Sequence, residues 1–179
     1  MIIGASVILI GCKKEIPKTG LYIGKQYLEG TIAYILQPGD PGYVDSMPHG
    51  LIAAPYDQSP GIVWCSGNYT NTDAKDTALG TGKLNTARII ASQHTGNYAA
   101  NICVTVALGD SGGWYLPSLD ELNKLYINQA AIGGFSNAYY WSSTEDTAEQ
   151  AWLIDFSSGY FDSGYKAWPS GRVRAVRTF

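Results

Sequence analysis

Charge is scarce in this chain. Only 15% of its 179 residues are Asp, Glu, Lys or Arg, against about 25% in an ordinary soluble protein. The formal net charge is −3, so no basic excess exists to neutralise phosphates, which excludes a nucleic-acid partner. Histidine and cysteine are nearly missing, with two and three residues. His49 and His94 lie far apart in the sequence. Neither a Cys-x-x-Cys nor a His-x-x-x-His spacing occurs, which argues against a dedicated zinc site. No Gly-rich loop ending in Lys-Ser/Thr is present to cradle a phosphate. No cofactor is expected.

What remains is apolar, glycine-rich and aromatic. Hydrophobic residues make up 45%, enough to bury a sizeable core, and the length suits one domain better than two. The 21 Gly predict many turns. The 13 Tyr and 5 Trp predict amphipathic surfaces, because each ring carries a polar atom.

The chain divides at its N-terminus. Met1–Ile10 is almost wholly apolar, too short to span a bilayer as a helix but of the length of a signal-peptide apolar region. It ends in Leu9-Ile10-Gly11-Cys12, which resembles a bacterial lipobox with Cys12 as the lipidated residue. It departs from that pattern in lacking the usual basic start. The competing reading is a buried N-terminal strand with an ordinary core cysteine. On the first reading residues 1–12 are a lipoprotein signal peptide, 13–19 a polar tether and 20–179 a single domain.

Within 20–179, Gly30–Leu36 reads as a strand, closed by the dense turn signal Gln37-Pro38-Gly39-Asp40-Pro41-Gly42. Leu51–Ala54 and Ile62–Cys65 read as two short strands, and Asn68–Gly82 as a loop. Leu84, Ala87, Ala91 and His94 recur at helical spacing, as do Tyr98, Ile102 and Val106. His94 ends the first of these helices, where an imidazolium would interact well with the dipole. Ser118-Leu119-Asp120-Glu121 is a capping box heading a third helix, with Leu119, Leu122, Leu125 and Tyr126 on one face. Tyr139–Ser143, Ala151–Phe156 and Arg172–Arg177 read as strands. Strands, then helices, then strands point to an α+β fold.

Several motifs invite a chemical reading. Gly109-Asp110-Ser111-Gly112-Gly113 matches the nucleophile motif of trypsin-like serine proteases. A histidine and an aspartate must activate such a serine. Neither His49 nor His94 sits in the required setting, and the glycines lead into Trp114 and a capped helix, so a turn is the reading taken. Trp114, Trp141 and Trp152 lie in or beside apolar runs and read as core rings. Arg172 and Arg174 fall on one face of a strand and Arg177 on the other. That split favours ion pairs or aromatic stacking over an anion site, with Asp155 and Glu121 as candidate partners. The acidic turns at Asp40 and Asp73–Asp76 could hold a structural calcium, but solvated loop carboxylates are commoner. Cys65 and Cys103 could bridge in an oxidising compartment; free buried thiols are the favoured reading.

In chain order come Gly112-Gly113-Trp114-Tyr115-Leu116-Pro117-Ser118, Asp120-Glu121-Leu122, Tyr140-Trp141-Ser142-Ser143 and Gly171-Arg172-Val173-Arg174-Ala175-Val176-Arg177. Together these motifs resemble the bacterial domain-of-unknown-function family that includes the C-terminal domain of a collagen-like adhesin, the Lcl C-terminal domain-like family. His49–Ala54, Gly80-Thr81-Gly82 and Asn85-Thr86 agree with it, so the resemblance runs from about Gly20 to Phe179. It implies a C-type-lectin-like fold: a twisted antiparallel sheet flanked by helices, with long loops. It implies an exported protein, often lipid-anchored, at the bacterial outer membrane or cell surface. The adhesin relative implies a polysaccharide ligand. The Glu-Pro-Asn and Trp-Asn-Asp motifs of calcium-dependent lectins are absent, so no metal is implied. Formylglycine-generating enzymes share a related fold but rely on active-site cysteines, and Cys65 and Cys103 lie in no matching motif.

The function expected is therefore a binding module or adhesin for an extracellular glycan or protein, without catalysis. A secreted hydrolase and a structural envelope protein are the alternatives. Its candidate ligand surface is Ser157–Ser170, where Tyr160, Phe161, Asp162, Tyr165 and Trp168 stand in a Gly/Ser-rich frame of the kind that paratopes use. The same segment reads also as a β-hairpin with ordinary cross-strand aromatic pairs.

Overall fold

The capping box forms. In the computed structural model, which describes residues 20–109 and 112–179, Ser118 Oγ accepts from the Glu121 amide, and Glu121 Oε2 accepts from the Ser118 amide at 2.8 Å. This closes the N-terminus of the helix Leu119–Ile127. In chain order the elements are β1 Gln26–Tyr27, β2 Gly30–Ile35, β3 Gly50–Ala53, β4 Ser59–Ile62, α1 Gly82–Gln93, α2 Ala99–Val104, α3 Leu119–Ile127, α4 Gln129–Ile132, β5 Tyr139–Glu145, β6 Gln150–Asp155, β7 Phe161–Tyr165, β8 Gly171–Val173 and β9 Val176–Thr178. The fold is α+β, as read. The pattern alone did not reveal β1 and α4, which are too short to carry a period.

Two sheets are present rather than the one expected. Their strand orders are β1-β2-β3-β9 and β4-β8-β5-β6-β7. All pairs are antiparallel except β5 with β8, where Tyr140 faces Arg172 in parallel. The expected strand Arg172–Arg177 is the point of division. It breaks at Arg174-Ala175 into β8 and β9, one in each sheet. The physical cause is local. The Ala175 carbonyl still accepts from the Ala54 amide at 2.9 Å in the β3–β9 register. But the Ala175 amide is taken by the Gln58 side chain and the Ala54 carbonyl accepts from Arg174, so the return bond of that pair is lost and the ladder ends.

Each sheet contributes side chains to two core clusters. Ile52 and Ala54 enter one core cluster, with Trp64, Ile89, Cys103, Trp114, Trp141, Leu153 and Val173. Leu51 and Ala53 enter the other, with Leu122, Leu125, Tyr140, Ile154, Phe156 and Val176. Alternate side chains of a strand point to opposite faces, so one apolar run serves two cores. That is why Leu51–Ala54 shows no polar alternation. Trp114 and Trp141 are buried as expected; Trp152 is only half-buried, at the edge of the second core. The expected strand Ile62–Cys65 lies instead at Ser59–Ile62, and Trp64 follows it into the core, its indole Nε1 donating to the Ser142 carbonyl at 2.8 Å.

Buried polar groups tie the layers together. Asp57 accepts from Tyr140 and Arg172 on Oδ2, and Arg174 lies on Oδ1 at 2.7 Å. Arg174 also stacks on Phe135 at 4.1 Å, and Arg177 pairs with Glu29 and covers Trp114. The arginines do form ion pairs and aromatic stacks, but with Asp57 and Glu29 in place of Asp155 and Glu121. Asp155 is occupied in its own turn by Ser157 and Ser158. Glu121 is buried in the capping box, where Gly80 N and Tyr115 Oη also donate to it. A Cβ on Gly82 would strike the Glu121 carboxylate and come within 2.6 Å of Ser118 N, so only glycine fits beside this cap.

Candidate functional site

Register assembles an aromatic groove on one face of the five-stranded sheet. Trp141 of β5 stands opposite Leu153 of β6, Leu153 opposite Asp162 of β7, and Ala151 opposite Gly164. Residues paired across strands share a face. Tyr139, two positions before Trp141, shares it as well. Gly164 is the position that opens this face. A Cβ there would lie 2.8 Å from Leu153 Cδ2 and 3.1 Å from the Trp141 ring. Without a side chain, Leu153 is left as an apolar floor.

The walls are rings. Trp168 packs edge-on to Tyr139 at 5.8 Å and to Trp141 at 5.9 Å. Its amide donates to the Tyr165 carbonyl at 2.8 Å, closing the turn that follows β7. Tyr165 stands 64% exposed at the rim. Together Tyr139, Leu153, Asp162, Gly164, Tyr165 and Trp168 enclose about 270 Å³. Asp162 Oδ1 accepts from the Ser163 amide at 2.8 Å. Among the described residues its second oxygen, the Tyr139 and Tyr165 hydroxyls and the Trp168 indole N–H make no hydrogen bond within the protein. Flat apolar faces with free polar tips suit a ligand that is apolar on one side and hydroxylated at its edge. Desolvation, and then the charges of Asp162 and Asp155, raise the Tyr139 phenol above its ordinary value, so it is a neutral donor at neutral pH.

Of the five ligand residues read from the sequence, the structure brings Asp162, Tyr165 and Trp168 together. Tyr160 and Phe161 are exposed but do not line the groove. The segment supplies the turn and the second strand of a hairpin with β6, so the competing reading holds only in part. Phe161 stands opposite Ile154 and Tyr165 opposite Gln150, no ring faces a ring in that register, and β7 forms one side of the groove. Sequence reasoning missed Tyr139, Leu153 and Gly164. The signal was available in Tyr139-Tyr140-Trp141: alternation sends Tyr140 to one core and leaves Tyr139 beside Trp141, but only the pairing with β7 shows what Tyr139 faces.

The other candidate residues are differently placed. Cys65 and Cys103 are buried free thiols, and burial pushes the Cys103 thiol well above its usual range. His94 caps α1 with a left-handed φ of 59° and donates its amide to Ile90. His49 lines a separate cavity of about 340 Å³ with Leu36, Leu79 and Phe179. The acidic turns are engaged locally: Asp40 accepts from Tyr34 at 2.7 Å, and Asp76 pairs with Arg88 at 2.7 Å. Among the described residues no three His, Cys, Asp or Glu side chains converge to hold a metal, and no helix is long and apolar enough to cross a membrane. Cys12 and Ser111 lie outside the described residues.

An α+β domain of two sheets, with a ligand-sized aromatic groove on the second, is the class that this geometry defines. The sequence matches the model of the Lcl C-terminal domain over residues 54–177, and the chain belongs to that family. All the groove residues fall inside the match, while β1, β2 and β3 precede it yet pair into the same fold. No curated protein matches the sequence.

Proposed function

We propose that this domain is an exported, adhesin-like binding module that takes an extracellular glycan in the groove between Tyr139, Tyr165 and Trp168, without catalysing a reaction. The groove carries the reading: sugar rings stack on aromatic faces, and the free hydroxyls, indole N–H and carboxylate meet sugar hydroxyls. Membership of the Lcl C-terminal domain family supports it. We read the fold, two small sheets with helices at their flanks and long connections, as C-type-lectin-like. Cys12 is the proposed lipid attachment site and the outer membrane or cell surface the proposed location.

The test of the ligand reading is an array of glycans and matrix proteins probed with the full chain, followed by Tyr165→Ala and Trp168→Ala. Loss of glycan binding by variants that melt like the parent supports it; unchanged binding removes the groove as the site, and capture of proteins alone overturns the glycan class. For the anchor, Cys12→Ser should shift the protein from the membrane to the soluble fraction, and a variant that stays membrane-bound refutes it. A fluorophosphonate should leave Ser111 unlabelled; stoichiometric labelling lost in Ser111→Ala would restore the hydrolase.

A further inference from the structure

The groove carries charge of one sign. Asp162 lines it, among the described residues no Lys, Arg or His does, and Asp155 stands opposite Tyr139 in register, on the same face. The cations nearest in sequence are turned away. Lys166, next to Tyr165, is wholly buried with its ammonium on Glu145. Arg172 is paired in register with Tyr140, whose side chain takes the opposite face from Tyr139, and is bound to Asp57 at 2.9 Å. A ligand entering the groove therefore meets three aromatic walls, Tyr139, Tyr165 and Trp168, and a carboxylate with one oxygen unclaimed. Aromatic faces attract cations. A carboxylate bonds an ammonium more strongly than it does a hydroxyl. A sulfated or uronic glycan would face uncompensated like charge.

Resting on the reading of this groove as the glycan site, we propose that its preferred ligand is a glycan bearing protonated amines, a deacetylated amino-sugar polymer, with Asp162 selecting the amine. Stacking on Tyr139, Tyr165 and Trp168 holds the sugar ring, and Asp162 discriminates among rings of the same shape.

The full chain is titrated calorimetrically with three oligosaccharides of equal length: a glucosamine oligomer, its N-acetylated counterpart and a uronic acid oligomer. The glucosamine oligomer should bind about tenfold more tightly than the acetylated one, the factor expected of one charge-assisted hydrogen bond. The uronic oligomer should bind most weakly. Asp162→Asn keeps an acceptor for sugar hydroxyls but loses the charge, so it should weaken the glucosamine oligomer more than the acetylated one and bring the tenfold preference down to about twofold or less. Equal or tighter binding of the acetylated oligomer, or survival of the tenfold preference in Asp162→Asn, overturns amine selection. Should Tyr165→Ala and Trp168→Ala, still folded, bind every oligomer as the parent does, the groove is not the site and both readings fall. If they lose the acetylated oligomer while the parent shows no amine preference, the groove stands and only this inference is refuted. Failure of all three oligomers to bind overturns it too.

Discussion

At the end of β7 the Tyr165 ring stands 64% exposed on the groove rim, while the next residue, Lys166, is wholly buried. The Lys166 ammonium contacts Glu145 at 2.5 Å, donates to the Thr70 and Ala148 carbonyls, and lies 4.7 Å from the centre of the Trp64 ring. Glu145 in turn accepts from the Thr72 amide and hydroxyl. The usual arrangement, aromatic inside and lysine outside, is inverted at two adjacent positions. The difference teaches that burial here follows from completeness of partners. Lys166 has an acceptor for each of its three N–H groups. Tyr165 has none for its hydroxyl among the described residues, and its ring is left for something outside the chain.

Breaking the buried side of this comparison should have the largest effect. Lys166→Ala leaves the Glu145 carboxylate buried and uncompensated, and should lower the unfolding free energy by about 3–5 kcal/mol in urea titrations. A loss below about 1 kcal/mol would mean that water reaches the pair. The exposed side should behave oppositely. Tyr165→Ala should weaken glycan binding by about 2 kcal/mol and leave stability within about 0.5 kcal/mol. If the two residues show equal stability losses, the contrast between them is wrong.

Smaller effects sharpen the comparison. Ser118→Ala removes the α3 cap and a hydrogen bond to the Ala78 carbonyl, and should cost about 1 kcal/mol without touching binding. At the groove end of β6, the Asp155 carboxyl is held below its ordinary value of 3.8 by the Ser157 amide, then by the Ser157 and Ser158 hydroxyls. Its folded-state value is depressed, so its stabilisation is present above 3.8 and is lost as pH falls through the lower folded value. Carboxyl NMR titration should show a midpoint below 3.8, moving toward it in Ser157→Ala. A midpoint at or above 3.8 would show that the turn is not held this way.

Much of the local structure was legible. The capping box at Ser118 and Glu121 needs only three residues' spacing, and α1 and α2 were legible as helices, but their buried faces were not. Leu84, Ala87, Ala91 and His94 are exposed while Asn85, Thr86, Ile89 and Gln93 are buried, and α2 ends at Val104, before Val106. The groove was legible in half. Asp162, Tyr165 and Trp168 stood out because the sequence crowds aromatics into a Gly/Ser frame. Tyr139 did not, because it comes from a strand two elements earlier. Gly164 did not, because a glycine in a strand announces nothing until a neighbour is seen to need the space. The arginine partners were unreadable for the same reason: Asp57 lies more than a hundred residues from Arg172 and Arg174.

By itself the sequence determined the α+β class, the helix that begins at Ser118, the apolar runs that become strands and the family to which the chain belongs. These follow from short-range chemistry: side-chain period, capping and ordered motifs. Only the tertiary structure decided that Arg172–Arg177 is divided between two sheets, that Lys166 is buried and Tyr165 is not, and that Tyr139 faces Trp168. Each of these turns on which partner a backbone amide, a charge or a ring finds across the fold. A partner far along the chain is selected by packing, where leaving a buried group unsatisfied costs more than any local preference returns.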